Sequence, residues 1–276
     1  MKNTIFYFTG TGNSLKVAKD ISANLQNSEL LSMAANHQKV LSLAPHGAVG
    51  FVFPVYYTGL PRLVEEFISS INLTNVDYVY MVCTYGHPGG NSGCISQGKK
   101  ILRRKGKELN AAFYVQHVNN FMLNVWEDCT LWTLEVTPEK KHKALHEKAH
   151  KKAKYIAEIV SRRKSHHDRS LTEYTGPVMF NYKGFYKRVQ SGDKDFYTTD
   201  RCNSCGLCAK VCPTNNIRMS SEHPEWKSET CQRCLACLNL CPKASILHRQ
   251  EKETAKKNRY KNPYITVKEI IESGQR

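Results

Sequence analysis

Two cysteine runs of the same design dominate this chain. Residues 202–213 read CNSCGLCAKVCP and residues 231–242 read CQRCLACLNLCP, so four cysteines and a closing proline recur at identical spacing. Eight of the eleven cysteines fall in these runs, while Cys83, Cys94 and Cys129 are scattered. No apolar stretch reaches the roughly 18 residues that span a bilayer. The opening, MKNTIFYFTG, is too short in its apolar part and too soon followed by glycine to be a signal peptide. The expectation is therefore a cytoplasmic chain without a membrane span, in a compartment that keeps thiols reduced. Eight clustered thiols there point to metal rather than to disulfides.

The spacing C-x2-C-x2-C-x3-C-P is that of bacterial ferredoxins. Three thiolates on a tight loop reach three corners of an iron–sulfur cube, and the fourth points away to the other cube. The segment from Phe196 to Arg249 resembles a bacterial two-cluster ferredoxin along its whole length. The resemblance implies two 4Fe-4S clusters with crossed ligands: Cys202, Cys205, Cys208 and Cys241 for one, and Cys231, Cys234, Cys237 and Cys212 for the other. Pro213 and Pro242 turn the chain after each fourth ligand. Structural zinc is the alternative for paired C-x2-C motifs, but a zinc site has no use for a third and fourth cysteine at the same spacing, twice. In this segment Lys and Arg outnumber Asp and Glu, whereas many ferredoxins are acidic.

The first 120 or so residues alternate between two periodicities. NTIFYF, ELLSM, AVGFVF, DYVYMVCT and AAFYVQHV read as strands by their β-branched and aromatic content. NSLKVAKDISANL, LVEEFISSI and SGCISQGKKILRRKG read as helices, the last stopped by Gly106. Strands alternating with helices predict an α/β fold: a doubly wound parallel five-stranded sheet covered on both faces. A small α+β cluster-binding unit follows it. The expected units are 1–137 for the sheet, 138–195 for a basic helix and linker, 196–250 for the cluster unit, and 251–276 for a charged tail over the surface. The helix should run from Pro138 to Lys164. His142, His146 and His150 recur on it four apart, a spacing that suits a metal or, more simply, a solvated face. Tyr174, Phe180, Tyr182, Phe185 and Tyr186 in the linker need somewhere to pack.

FTGTGNS, from Phe8 to Ser14, joins the first strand to the first helix. Such a loop presents backbone N–H groups and a helix N-terminus to a phosphate. It lacks the third glycine of the dinucleotide fingerprint and the Gly-Lys of a Walker loop. Thr9, Thr11, Asn13 and Ser14 add side-chain donors, and Gly10 and Gly12 permit close approach, which suits the monophosphate of FMN. FPVYYTGLP and CTYGHPGGNSG follow the third and fourth strands, at the carboxyl ends where open α/β sheets bind ligands. Tyr56, Tyr57 and Tyr85 are expected to stack on a flavin ring there.

This half resembles a flavodoxin, with Ser14 where a threonine is common. The whole chain resembles the flavodoxin–ferredoxin fusion proteins of anaerobic bacteria and archaea. The resemblance implies an FMN phosphate at Thr9, Gly10, Thr11, Gly12, Asn13 and Ser14. It implies the ring near Pro54, Tyr56, Tyr57, Thr84, Tyr85 and Gly86, with Asn119 or Asn120 closing the pocket. The implied function is an electron-transfer relay among FMN, two clusters and protein partners, with a flavin-dependent small-molecule reductase as the alternative. The formal net charge of +16 favours acidic redox partners such as a ferredoxin, a flavodoxin or a reductase. Lys99, Lys100, Arg103, Arg104, Lys105 and the lysine-rich helix form the expected docking face. No nucleic-acid motif accompanies the charge.

Overall fold

The computed structural model describes residues 2–87, 93–123, 136–169, 192–227, 230–249 and 258–274. Its first half is a parallel sheet built from β1 (Asn3–Tyr7), β2 (Ser28–Ser32), β3 (Ala48–Pro54), β4 (Tyr78–Tyr85) and β5 (Ala111–Gln116). Their order is 2-1-3-4-5, every neighbouring pair being parallel. This is the doubly wound arrangement that the alternating patterns predict. A sixth strand, β6 (His166–His167), adds two residues to the β5 edge. No periodic signal marks so short a strand. It forms because the chain returning from the helix before it runs along β5, where the Asp168 carboxylate accepts the Tyr114 N–H at 2.9 Å.

Helices α1 (Asn13–Ala23), α2 (Arg62–Ser70) and α3 (Cys94–Arg104) fall where the sequence puts them. The basic helix begins as a 3-10 turn, Glu139–Lys141, and continues as α4 (His142–Ser161). It does not stand apart as a separate basic segment. Ala149, Ala153, Ile156, Ala157 and Val160 are buried in one cluster with Val17 and Ile21 of α1 and with Val82 and Phe113 of the sheet. Helices α1 and α4 thus cover one face. The other face packs Val64, Phe67 and Ile68 of α2 and Ile95, Ile101 and Leu102 of α3 against Phe51, Phe53 and Met81. Burying an apolar stripe of this kind is what stabilises a helix whose remaining surface is lysine.

The second half is small. Strand β7 (Phe196–Thr198) pairs antiparallel with β10 (Ile246–His248), and β8 (Ile217–Met219) with β9 (Pro224–Trp226). Between them lie two short helical turns, α5 (Leu207–Lys210) and α6 (Ala236–Leu240). Each cysteine run has left-handed backbone at matching positions: Ser204, Gly206 and Asn215 in the first, Arg233, Leu235 and Ala244 in the second. The repeat seen in the sequence is therefore a repeat of conformation.

The carboxyl-terminal segment departs from the expectation of a surface tail. Tyr260, Asn262, Ile265 and Ile270 are buried, and α7 (Val267–Gly274) closes the chain. The linker aromatics from Tyr174 to Tyr186, together with Cys129, lie outside the described residues. Among the described residues no helix is long and apolar enough to cross a membrane.

Because α4 is core rather than appendage, Ile156→Ala should cost about 2–5 kcal/mol of stability. Urea unfolding followed by circular dichroism checks this. A cost near zero would mean that the helix does not pack on the sheet.

Candidate functional site

The loop between β1 and α1 is fixed by its own polar groups. Gly12, at φ 101°, caps α1 and donates its N–H to Thr9 Oγ1 at 3.1 Å. Thr11 Oγ1 accepts from Asn120 Nδ2 at 2.5 Å, so Asn120 reaches this loop from the chain after β5. Ser14 Oγ and Thr84 Oγ1 share a bond of 2.7 Å, which ties the loop to the end of β4. Thr9 and Thr11 each accept one bond and keep a hydroxyl proton to donate. Among the described residues the backbone N–H groups of Thr11, Asn13 and Ser14 have no acceptor within the chain. Amides at a helix N-terminus, with two hydroxyl protons beside them, fit a phosphate monoester.

Asn13 behaves differently from expectation. Its Oδ1 accepts from Tyr260 Oη at 2.7 Å and from Asn262 Nδ2 at 3.0 Å, while its Nδ2 donates to the Val118 carbonyl at 3.2 Å. The side chain is therefore committed within the protein, and only its amide is left for an anion. Asn262 N–H also donates to the Thr11 carbonyl at 2.9 Å. The carboxyl-terminal segment is thus a strap across the loop. It continues into the cluster unit, where Arg259 donates to the Leu238 and Ile246 carbonyls, each at 3.0 Å. Sequence periodicity could not reveal the strap, since Tyr260 and Asn262 sit in a short polar stretch without pattern.

Behind Asn13 lies a group of imidazoles. His117 and His146 meet edge-on at 4.8 Å, and Tyr260 Oη is 3.4 Å from His146 Nε2. Burial holds His117 down at about 3, with the charges of His146, Lys16 and His142 adding to the effect. It is neutral at ordinary pH and accepts the Val118 N–H on Nδ1 at 2.9 Å. The three helix histidines do not converge: His142 is 2.9 Å from the Thr137 carbonyl, and His150 is 3.2 Å from the Asp20 carboxylate.

Of the residues expected around a flavin ring, Pro54 ends β3 beside Thr84 in register. Tyr85 ends β4, half-buried and edge-on to Tyr114 at 6.4 Å. Gly86 follows, close enough to Asn119 that a β-carbon would stand 2.5 Å from its Cα. Tyr56 and Tyr57 have neighbours that the sequence does not suggest. Tyr56 lies edge-on to Phe8 at 6.1 Å, and Tyr57 edge-on to Phe121 at 5.6 Å. Burial raises the Tyr56 hydroxyl well above its usual range, with Cys234 the next contribution. Burial also pushes Tyr57 up to about 12, opposed by the Arg233 charge and by a hydrogen bond from it. Both tyrosines are turned toward the second cysteine run.

That run sits on the loop itself. A β-carbon on Gly10 would stand 2.7 Å from the Cys234 carbonyl oxygen and 3.1 Å from the Tyr56 hydroxyl. Gln232 Oε1 accepts the Leu63 N–H at 2.9 Å, fixing the run to the start of α2.

The cysteines divide into two groups. Cys202, Cys205, Cys208 and Cys241 line a single cavity with Gly206, Met219 and Ile246. Burial pushes the Cys208 thiol up to about 11, against a backbone bond from Ala209, with Cys205, Cys241 and Cys202 the thiols that act on it. Burial raises Cys231 too; beyond the opposing Arg233 N–H, the thiols it feels are Cys234 and Cys212. Cys241 thus lies on the cavity of the first run, and Cys212 is the first-run thiol felt by Cys231 and Cys234. Among the described residues no three such side chains could share one metal ion. The first group instead rings a cavity, as a cluster needs. A bound metal would draw the proton from each raised thiol.

The groups differ in exposure. Cys205 is exposed, as are Asn203 and Ser204 beside it, whereas Cys237 and the flanking Leu235, Ala236 and Leu238 are buried.

Residues 4–134 match the family model of a flavodoxin domain, and residues 194–242 match that of a 4Fe-4S dicluster domain. No curated protein matches the chain. One similar solved structure is the rubredoxin oxygen:oxidoreductase of the anaerobe Desulfovibrio gigas, at 17% identity and a TM-score of 0.36, covering 59% of this chain and 36% of that one. Another is a candidate flavoprotein of Bacteroides uniformis, at 18% identity and a TM-score of 0.30, covering 42% of this chain and 90% of that one. The chain thus spans about a third of the length of the first.

Two outcomes are expected. Cys241→Ser, a change in the second run, should disturb the paramagnetic signal of the cluster held by the first run and leave the other intact. The reverse pattern would refute crossed ligation. Tyr260→Phe combined with Asn262→Ala should weaken FMN binding roughly tenfold and leave riboflavin binding and iron content unchanged. Fluorescence titration with both flavins reads this directly. An equal loss for riboflavin would mean that the strap does not act on the phosphate loop.

Proposed function

Since the chain joins a flavodoxin domain to a 4Fe-4S dicluster domain, its chemistry is flavin and iron–sulfur electron transfer, and we propose that it is a one-chain relay with an outer and an inner cluster. FMN, when bound, handles one or two electrons, and each cluster handles one at a time. The residues define an order. Cys202, Cys205, Cys208 and Cys241 would hold the outer cluster beneath the exposed stretch 203–205. Cys231, Cys234, Cys237 and Cys212 would hold the inner one, with Cys234 against Gly10 and Tyr56 on the phosphate loop. Thr9, Thr11 and the amides of the loop orient the flavin phosphate. Thr84, Tyr85 and Gly86 at the end of β4 flank the ring.

The observation that carries this reading is the difference between the two runs. One is exposed from Asn203 to Cys205, and the other sets Cys234 against Gly10 and buries residues 235–240. Protein partners are then expected at the first run, and partner electrons enter or leave there.

The docking face shifts accordingly. Helix α3 runs back from the ligand end of the sheet. Just beyond it, Lys107 Nζ donates to the Thr74 and Val76 carbonyls ahead of β4. Arg103, Arg104 and Lys105 therefore lie at the end of the sheet opposite the cofactor loops. Exposed cations on the first-run side include Arg201, Lys210 and Lys243, accompanied by the acids Asp200 and Glu222. An acidic redox protein is the partner class that this rim would steer.

Anaerobically purified protein should carry about eight irons and one FMN per chain. In stopped-flow mixing with a reduced acidic ferredoxin, the rate should fall as salt rises. Lys210→Glu with Lys243→Glu should slow it by about tenfold at low salt. The same changes at Arg103 and Arg104 should leave it unaltered. Turnover of a small-molecule acceptor at full rate without a protein partner would replace the relay by a reductase.

A further inference from the structure

Two of the three cysteines outside the runs are brought together by the fold. Cys83, near the end of β4, and Cys94, the first residue of α3, have their sulfurs 3.0 Å apart. Both are fully buried in the core on the α2–α3 face. Cys83 is held in register between Phe53 and Tyr114 on the neighbouring strands. Cys94 is held by the start of α3, where the Gly93 N–H donates to the Thr58 carbonyl at 2.8 Å. Neither belongs to the cluster ligand sets.

We propose that Cys83 and Cys94 are a redox-modification site that closes to an intramolecular disulfide when the protein meets hydrogen peroxide. The sulfurs need approach by only about 1 Å to reach bonding distance. The strand and the helix start already hold them together, so no element has to move far. Chemically, one sulfur attacks a peroxide oxygen. The O–O bond breaks, water leaves with the thiol proton, and a sulfenic acid forms. The second sulfur then attacks the first, the S–O bond breaks, and a second water leaves. Two thiols and one peroxide give one disulfide and two waters: the sulfur pair loses two electrons and the peroxide gains them.

Burial slows the first step but decides the second. A sulfenic acid formed here has a thiol in contact and little solvent, so it closes to the disulfide before a second peroxide can carry it to the sulfinic acid. The product ties the strand end that carries Thr84 and Tyr85 to the helix that follows it. A dithiol reductant reverses it by exchange. The site stands on this geometry alone and does not depend on the cofactor content.

Trypsin should release residues 63–99 as one peptide containing both cysteines and no other, because Arg62 and Lys99 are the flanking cleavage points. Holoprotein is treated with graded peroxide, quenched with iodoacetamide, digested and weighed. The expected result is a peptide that carries two alkyl groups before treatment. After treatment it should carry none and be about 2 Da lighter than the reduced, unalkylated form. Dithiothreitol should restore the first state. The thermal midpoint of the wild type should rise on oxidation, and Cys94→Ser should show no such rise. Two alkyl groups persisting after the cluster absorbance has bleached would overturn the proposal. So would sulfinic acid at Cys83 or Cys94 in place of the linked peptide.

Discussion

The two halves of this protein meet where a side chain is missing. At Gly10 the Cys234 carbonyl comes so close that a β-carbon would stand 2.7 Å away, well inside the contact distance of carbon and oxygen. The phosphate loop and the second cysteine run can share this space only because residue 10 has no β-carbon. Any other residue would have to push away backbone, which cannot rotate aside as a flexible side chain can. One glycine therefore serves two purposes, as part of the loop between β1 and α1 and as the seat of the second cysteine run. The separation between this cysteine run and the loop after β1 is set at that point.

A seat this small would not hold two domains in place by itself. The strap supplies the rest. Tyr260 donates its hydroxyl to Asn13, and its N–H goes to Asn239 Oδ1 at 3.0 Å, so one residue bonds both halves. Farther along, Lys19 pairs with Glu269 at 2.5 Å, and Ile265 and Ile270 fill a cluster with Leu15, Val211 and Leu240. The surface pair contributes little by itself. The buried isoleucines contribute on the order of 2 kcal/mol each. Apolar burial therefore holds the strap, and its hydrogen bonds fix where it lies. Electron transfer needs a fixed separation more than it needs strength, which accounts for polar groups at the loop and apolar groups behind them.

Local chemistry was legible in the sequence, and long-range contact was not. The five main strands and the first three helices could be read because each repeats an apolar residue at its own period. The 4Fe-4S dicluster domain could be read because thiol spacing is a property of one loop. The sites of Tyr56 and Tyr57 could not, because their neighbours Arg233 and Cys234 come from the other half of the chain. The docking of α4 was legible only as a thin apolar stripe through Ala149, Ile156 and Val160: Ala149, Ala153 and Ala157 make half of its buried face, and alanine gives a weak apolar signal beside many lysines. Cys83 and Cys94 were scattered in the sequence, yet they lie in contact once β4 and α3 are placed. The strap carries its binding groups on Tyr260 and Asn262, residues that read equally well as solvated loop.

The divergence within the cysteine repeat follows the same division of labour. The first run places Gly206 at φ 70°, where glycine bears no strain, and Ser204 at φ 54° in solvent. At the matching positions the second run places Leu235 at φ 56° and Arg233 at φ 48°, both buried. A left-handed leucine costs roughly 1–2 kcal/mol of backbone strain. Burying its side chain returns about 1.5–3 kcal/mol, and here it packs with Leu238, Phe196 and Met122. The strain is offset only because this run has a core to fill. Gly206 is only half-buried, with Met219 alone within 4 Å of where a β-carbon would stand, so glycine is the economical residue there and the loop stays thin. The polar stretch 203–205 leaves Cys205 exposed, whereas the apolar stretch 235–238 encloses Cys237. From two copies of one motif, the chain has made one loop that is exposed from Asn203 to Cys205 and one that packs on its own other half.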